Sequence, residues 1–160
     1  MSGGDISREK PDRIDAEAEV VVIGAGACGL VAALRARAAG AEVIVLERDA
    51  SPSGSTSMSS GFVPAPATRF QRDIGTEDDT PDRFEADIMA KSEGKSASSL
   101  ARLAAQTIGP ALEWLADAHG LEWIVLDDFL YPGHSRHRMH AVPELSLIHI
   151  SEPTRLRRIS

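Results

Sequence analysis

Val21 to Leu30 reads VVIGAGACGL, with three glycines at the spacing G-x-G-x-x-G directly after an apolar run. The run itself, Glu19 to Gly24 (EVVVIG), is β-branched and ends in glycine, which predicts a buried parallel strand. Leu30, Ala33, Leu34 and Ala38 then recur at helical spacing until Gly40 stops the helix. Ala41 to Asp49 (AEVIVLERD) predicts a second buried strand that ends near Glu47. Strand, helix and strand within about 30 residues make one right-handed βαβ unit. The expected fold class is therefore α/β, built on a Rossmann-like unit.

Each glycine in that spacing has a physical task. Gly24 makes the tight turn off the strand, Gly26 lets the backbone approach a pyrophosphate, and Gly29 lets helix and strand pack closely. The helix N-terminus then presents unpaired N–H groups and the positive end of its dipole to the phosphates. About 20 residues on, an acid at the end of the second strand hydrogen-bonds the adenosine ribose, and Glu47 stands in that place. An acid there argues against a 2′-phosphate, and so against NADP. FAD and NAD share the pyrophosphate and adenosine, so these residues leave both open. Cys28 lies at the helix N-terminus, where a thiolate is stabilised, but the position asks only for a small residue.

The bulk composition narrows the rest. The 160 residues are 42% hydrophobic, which is ordinary for about one folded domain. A formal net charge of -7 and 4% aromatic residues exclude a general nucleic-acid binder. One cysteine excludes an internal disulfide framework, and the charged first twenty residues do not read as a signal peptide, so a cytoplasmic, reducing compartment is expected. No stretch approaches the ~20 apolar residues of a membrane span.

Residues 1–17 read as a flexible leader, and residues 18–144 as the N-terminal part of a dinucleotide-binding domain. Asp49 to Thr68, rich in Ser, Gly and Pro, predicts a long functional loop. From Asp73 to Asp87 seven acids face the single base Arg83, which predicts a solvated helix face without a ligand. Pro81 opens a helix through DRFEADIMAKSEG. Leu100, Leu103, Ala104 and Ile108 predict a helical stripe; Pro110 restarts the helix, and Leu112 and Leu115 carry the stripe to Gly120. LEWIVLDD, from Leu121, predicts a short strand, and His119 a contact at the helix C-terminus.

LERDASPSGSTSMSSGFVPA, from Leu46, resembles the FAD-binding stretch of the fumarate reductase and succinate dehydrogenase flavoprotein family, which includes soluble flavocytochrome c fumarate reductases and ketosteroid dehydrogenases. The likeness runs from about Glu19 to Glu144 and is most specific over Gly24 to Glu47 and Gly54 to Gly61. It implies that Ser55 and Thr56 contact the FAD phosphates or ribitol and that Ser60 and Gly61 lie against the isoalloxazine. With Gly24, Ala25, Gly26, Gly29, Glu47 and Arg48 they form the implied cofactor set. Membrane-bound relatives attach FAD through a histidine in this loop, where this chain has Ser55, so the resemblance implies non-covalent FAD. The family's paired glycine at the end of the turn is here Gly61-Phe62. The implied parent is an oxidoreductase moving hydride between flavin and a C=C or CH-CH pair of a small-molecule substrate. An FAD oxidoreductase of another type, such as a disulfide reductase or amine oxidase, shares Gly24 to Glu47 but not the GSTSMSSG loop. An NAD-binding, non-flavin module is the alternative from another class.

YPGHSRHRMHAVPE, from Tyr131, places His134, Arg136, His137, Arg138 and His140 within seven residues. A metal reading fails on chemistry, because the cluster has no Cys or carboxylate and its arginines repel a cation. A solvated basic loop is one reading. The family likeness gives another, in which His137, Arg138 or His140 helps bind a substrate carboxylate or carbonyl oxygen.

The closing LSLIHISEPTRLRRIS resembles no part of that family. Leu145 to Arg155 match, residue for residue, the translation of a transposase-type sequencing adapter, and after three index-derived codons Ile159 and Ser160 resume it. Residues 145–160 are therefore expected to be adapter-derived. Without their three bases and one acid the net charge goes from -7 to -9. On this reading the natural frame is truncated before the capping domain, the catalytic residues lie beyond residue 144, and the 160-residue chain is expected to bind FAD poorly and have no activity of its own.

Overall fold

The computed structural model describes residues 16–52 and 54–143, in two compact units divided between Ser57 and Met58. Of the leader reading, residues 1–15 lie outside the described residues, as does the whole of the adapter reading, 145–160.

In the first unit β1 (Val20–Ile23), α1 (Ala27–Ala38) and β2 (Val43–Leu46) follow in the expected order. The strands are parallel, in register from Val20 opposite Val43 to Ile23 opposite Leu46. Val20 N–H to Glu42 O (3.0 Å) and Gly24 N–H to Leu46 O (2.7 Å) extend the ladder at both ends. Gly40, at φ +92°, ends α1, and Arg35 and Arg37 suit the negative end of its dipole. The expectation of buried strands is corrected: Val21 is 52% and Ile23 86% exposed. Alternate side chains point to opposite faces, and α1 packs on the Val22 face, leaving Val21 and Ile23 on the other. α2 (Ser55–Met58) adds one turn within the stretch expected to be loop.

In the second unit β3 (Val63–Pro64), β5 (Met139–Ala141) and β4 (Ile124–Val125) form an antiparallel sheet in the order β3-β5-β4. α3 (Arg69–Asp73) begins with a capping box, in which the Thr68 hydroxyl accepts from Gln71 N–H and the Gln71 side chain accepts from Thr68 N–H. α4 (Pro81–Lys91) opens at Pro81 as expected, capped by the Thr80 hydroxyl on Arg83 N–H.

α5 (Ser98–His119) departs from expectation twice. It runs unbroken through Pro110, and its buried stripe is Ala101, Ala105, Gly109, Leu112 and Leu115. Leu100 and Leu103 are 66% and 56% exposed. At Gly109 close approach decides which residue fits, since a Cβ there would lie 2.6 Å from Pro66 O. Small residues fit there and leucines do not. Burial on both sides of Pro110 keeps the two halves in one helix, which ends at Gly120 in the left-handed conformation. Trp123 Nε1–H donates to Leu112 O at 3.1 Å and ties the β4 approach to α5.

Candidate functional site

The glycine turn has the geometry its spacing requires. Gly24 adopts φ +97°, a conformation costly for any residue with a Cβ. A Cβ on Gly29 would stand 2.0 Å from Gly24 O and 3.2 Å from Val22 Cγ1, so α1 meets the turn at a distance only glycine permits. Gly26 is the extended residue before α1 and supplies no capping side chain.

Glu47, just after β2, returns to that turn. Its Oε2 accepts from Ala25 N–H at 2.8 Å and its Oε1 from Asp49 N–H at 3.2 Å. The Ala25 N–H, followed by that of Asp49, holds the Glu47 carboxyl below the usual carboxylate range. Ala27 N–H, in the first turn of α1, donates to Thr56 Oγ1 at 3.1 Å. Gly24, Ala25, Gly26, Gly29, Glu47 and Thr56 are thus gathered in the first unit. Arg48 extends outward, its guanidinium on Asp49 (3.2 Å). Ser55 starts α2, and Cys28 is exposed. Ser60 and Gly61 belong to the second unit, where Gly61 has φ +69° and its N–H donates to Ser59 Oγ at 3.2 Å.

The histidine and arginine stretch is not a solvated loop. Arg138 and His140 have no exposed surface, and Met139 to Ala141 form β5. Arg138 grips Asp79 bidentately, Nε to Oδ2 at 2.7 Å and Nη2 to Oδ1 at 2.8 Å, while Nη1 donates to Asp87. The guanidinium also lies 5.0 Å from the Phe84 ring centre. Gln71 Nε2 donates to Asp79 Oδ2 and to His137 O, both at 2.8 Å. Arg136 pairs with Asp78, holding that carboxyl down to about 2. The acidic run expected to be a solvated face therefore supplies the partners of the basic run. His119, the last residue of α5, packs edge-on against Trp114 at 4.8 Å, consistent with a helix-end contact.

His140 is hydrogen-bonded at both ring nitrogens. A carbonyl oxygen only accepts, so Nδ1 donates to Arg138 O (2.7 Å). Nε2 accepts from the Thr68 hydroxyl (2.8 Å), whose oxygen accepts from Gln71 N–H. Burial pushes the imidazole below its usual range, against smaller opposing contributions from the Arg138 and Val63 backbone and Asp79. The unfolded chain takes up a proton below about pH 6.5 that the folded imidazole refuses, so stability is lost as pH falls through that value. The urea midpoint should decline from about pH 7 to pH 5 and decline less in His140→Asn. An identical slope in the variant would remove His140 as the cause.

The profile of the FAD binding domain family matches residues 19–146. Urocanate reductase of Eggerthella lenta is 31% identical over 127 residues, covering 79% of this chain and 21% of that protein. NADH:fumarate oxidoreductase of Klebsiella pneumoniae is 34% identical over 115 residues, covering 72% of this chain and 12% of that protein. Among solved structures, the open conformation of a flavocytochrome c3 fumarate reductase aligns with a TM-score of 0.68 at 30% identity, covering 79% of this chain and 22% of that one. A 3-ketosteroid-delta4-(5alpha)-dehydrogenase from Rhodococcus jostii RHA1 aligns with a TM-score of 0.60 at 31% identity, covering 68% of this chain and 22% of that one. The chain spans about a fifth or less of the length of these relatives. The match selects FAD over the NAD alternative. Among the described residues no helix is long and apolar enough to cross a membrane.

Proposed function

The chain belongs to the FAD binding domain family, and from that membership we propose that it builds the adenosine and pyrophosphate side of the flavin site in an oxidoreductase acting on a C=C or CH-CH pair of a small molecule. The observation that carries the reading is Glu47, whose carboxylate sits on Ala25 N–H in the close turn that Gly24 and Gly29 permit. Bound FAD would supply the hydride exchange.

The chain's own residues bind and orient. Gly24 and Gly26 open backbone to the pyrophosphate, and the first turn of α1 offers its N–H groups to the negative charge. Glu47 has further lone pairs for ribose hydroxyls while its backbone contacts fix its direction. Thr56 braces α2 against α1 through Ala27 N–H, with Ser55 beside it at the start of α2. We assign Arg48 an outer electrostatic contact, Ser60 and Gly61 the flavin ring, and non-covalent attachment to the loop because Ser55 stands where membrane-bound relatives carry a histidine. Arg138 and His140 act from within the fold by holding β5, which leaves half-buried His137 as the one of the three for direct substrate contact. The single cysteine supports a cytoplasmic setting.

Glu47→Ala should weaken FAD at least about tenfold, and Glu47→Gln less, because charge-assisted bonds to two hydroxyls exceed neutral ones. Flavin fluorescence titration of the full-length parent apoenzyme measures both. Unchanged affinity in Glu47→Ala would overturn the ribose assignment.

A further inference from the structure

We propose that the turn Tyr131 to His134 is an acid-released latch, held on α4 by the neutral His134 ring and freed when that ring takes up a proton. The latch lies wholly in the second unit and shares no residue with the dinucleotide turn, so it stands apart from the flavin reading.

The His134 ring is wedged between two others. Phe84 of α4 meets it edge-on at 5.9 Å, and Tyr131, at the start of the turn, lies tilted against it at 5.4 Å. His134 N–H donates to Tyr131 O at 2.9 Å and closes the turn. Gly133, at φ +95°, lets the chain pass over the Lys91 stem, because a Cβ there would stand 2.9 Å from Lys91 Cδ. Residues 127–133 are exposed, and the half-buried His134 ring anchors them to α4. Beyond the turn Ser135 is fixed independently, its N–H and Oγ–H each donating to Asp87 Oδ2 at 2.8 Å. The turn therefore leaves α4 without disturbing β5, and its departure uncovers Phe84, which is otherwise buried.

This anchor suits only the neutral ring. Nδ1 is buried without a hydrogen-bond partner among the described residues. An imidazolium carries hydrogen on both nitrogens, so the charged ring would bury a donor that meets no acceptor, whichever neutral tautomer precedes it. Arg138, beside β5, adds a like charge, and Lys91 of α4 is a second cation along the turn. Asp87 of α4 and Asp79 ahead of it favour the charged ring, but both are already bound by the Arg138 guanidinium. Burial first, then Arg138, outweigh the two acids and hold the imidazole below its usual range. Once the turn leaves α4, water accepts from both nitrogens and the ring titrates near its ordinary value of about 6.5. The closed turn thus prefers the neutral ring and the open turn the charged one, so closure weakens as pH falls through about 6.5.

Amide hydrogen exchange of the 160-residue chain, followed by NMR, reads the latch through the bond from the position-134 N–H to Tyr131 O. Its protection factor should fall about three- to tenfold between pH 7.5 and pH 5.5, as an open-state value near 6.5 requires. His134→Phe keeps a packed ring and removes the proton site, so protection at position 134 should then be the same at both pH values. General acid destabilisation would instead lower protection at position 134 and in α5 together, in the variant as in the unsubstituted chain. Ring titration in the same spectra needs no variant: the His134 midpoint should lie below about 6.5, and the resonances of Tyr131, the only tyrosine, should move with it. No fall at position 134, a fall matched by α5 or retained in His134→Phe, or a His134 midpoint at or above the ordinary value would each overturn the proposal.

Discussion

Arg138→Met is expected to destabilise the second unit by about 3 to 5 kcal/mol, because it leaves the Asp79 carboxylate buried without its cation. Both side chains are fully buried, and the pair is bidentate. Asp79 would keep only Thr80 N–H (3.0 Å) and Gln71 Nε2 (2.8 Å), two neutral donors that do not offset a buried charge. The same guanidinium reaches Asp87 on α4, so the substitution also unties β5 from that helix. Adding Asp79→Asn removes the stranded charge, and the double variant should be less destabilised than the sum of the two single variants. Urea denaturation followed by tryptophan fluorescence reads this, since Trp114 and Trp123 both lie in the second unit. An Arg138→Met midpoint equal to that of the parent would mean that the ion pair does not hold the unit together.

That network also marks where sequence reasoning stopped. β1, α1, β2 and the glycine turn were legible because their determinants are local: a β-branched run, a helical period, Gly40 and an acid at the strand end. Glu47 followed from a fixed offset, and the family likeness carried the loop beyond it. Arg138 and Asp79 lie 59 residues apart, and each looked solvated within its own run of like charges. β5 escaped notice because Met139, His140 and Ala141 carry little strand propensity; pairing with Val63 and Val125 makes them a strand. The α5 stripe lies on Ala101, Ala105 and Gly109 and not on Leu100 and Leu103, and at Gly109 the approach of Pro66 O leaves no room for a side chain, which no periodicity of leucines reveals. One signal was available and unused: Thr68 and Gln71 stand at the capping-box spacing and mark the start of α3.

Gly29→Ala should disable the first unit, and the sign of its effect is diagnostic. Gly29 is the third residue of α1, and at an ordinary helix site alanine is more favourable than glycine by about 1 kcal/mol. Here the new methyl would lie 2.0 Å from Gly24 O, a backbone atom with no rotamer to move to, and 3.2 Å from Val22 Cγ1. Relief requires α1 to leave β1 or the φ +97° turn at Gly24 to open. Overpacking of this kind costs about 3 kcal/mol or more, which outweighs the helix gain. FAD binding should be lost with the fold of the turn. Gly26→Ala provides the contrast, because its Cβ would meet Thr56 Oγ1 at 3.4 Å, an ordinary contact. That variant should melt close to the parent but bind FAD poorly, since the methyl stands where backbone must approach the pyrophosphate. Thermal melts and FAD titrations of the two variants, made in the full-length parent, separate packing from ligand approach. A Gly29→Ala protein that melts at or above the parent temperature would show that α1 and the turn are not in contact at this position, and the cofactor geometry built on that contact would fall with it.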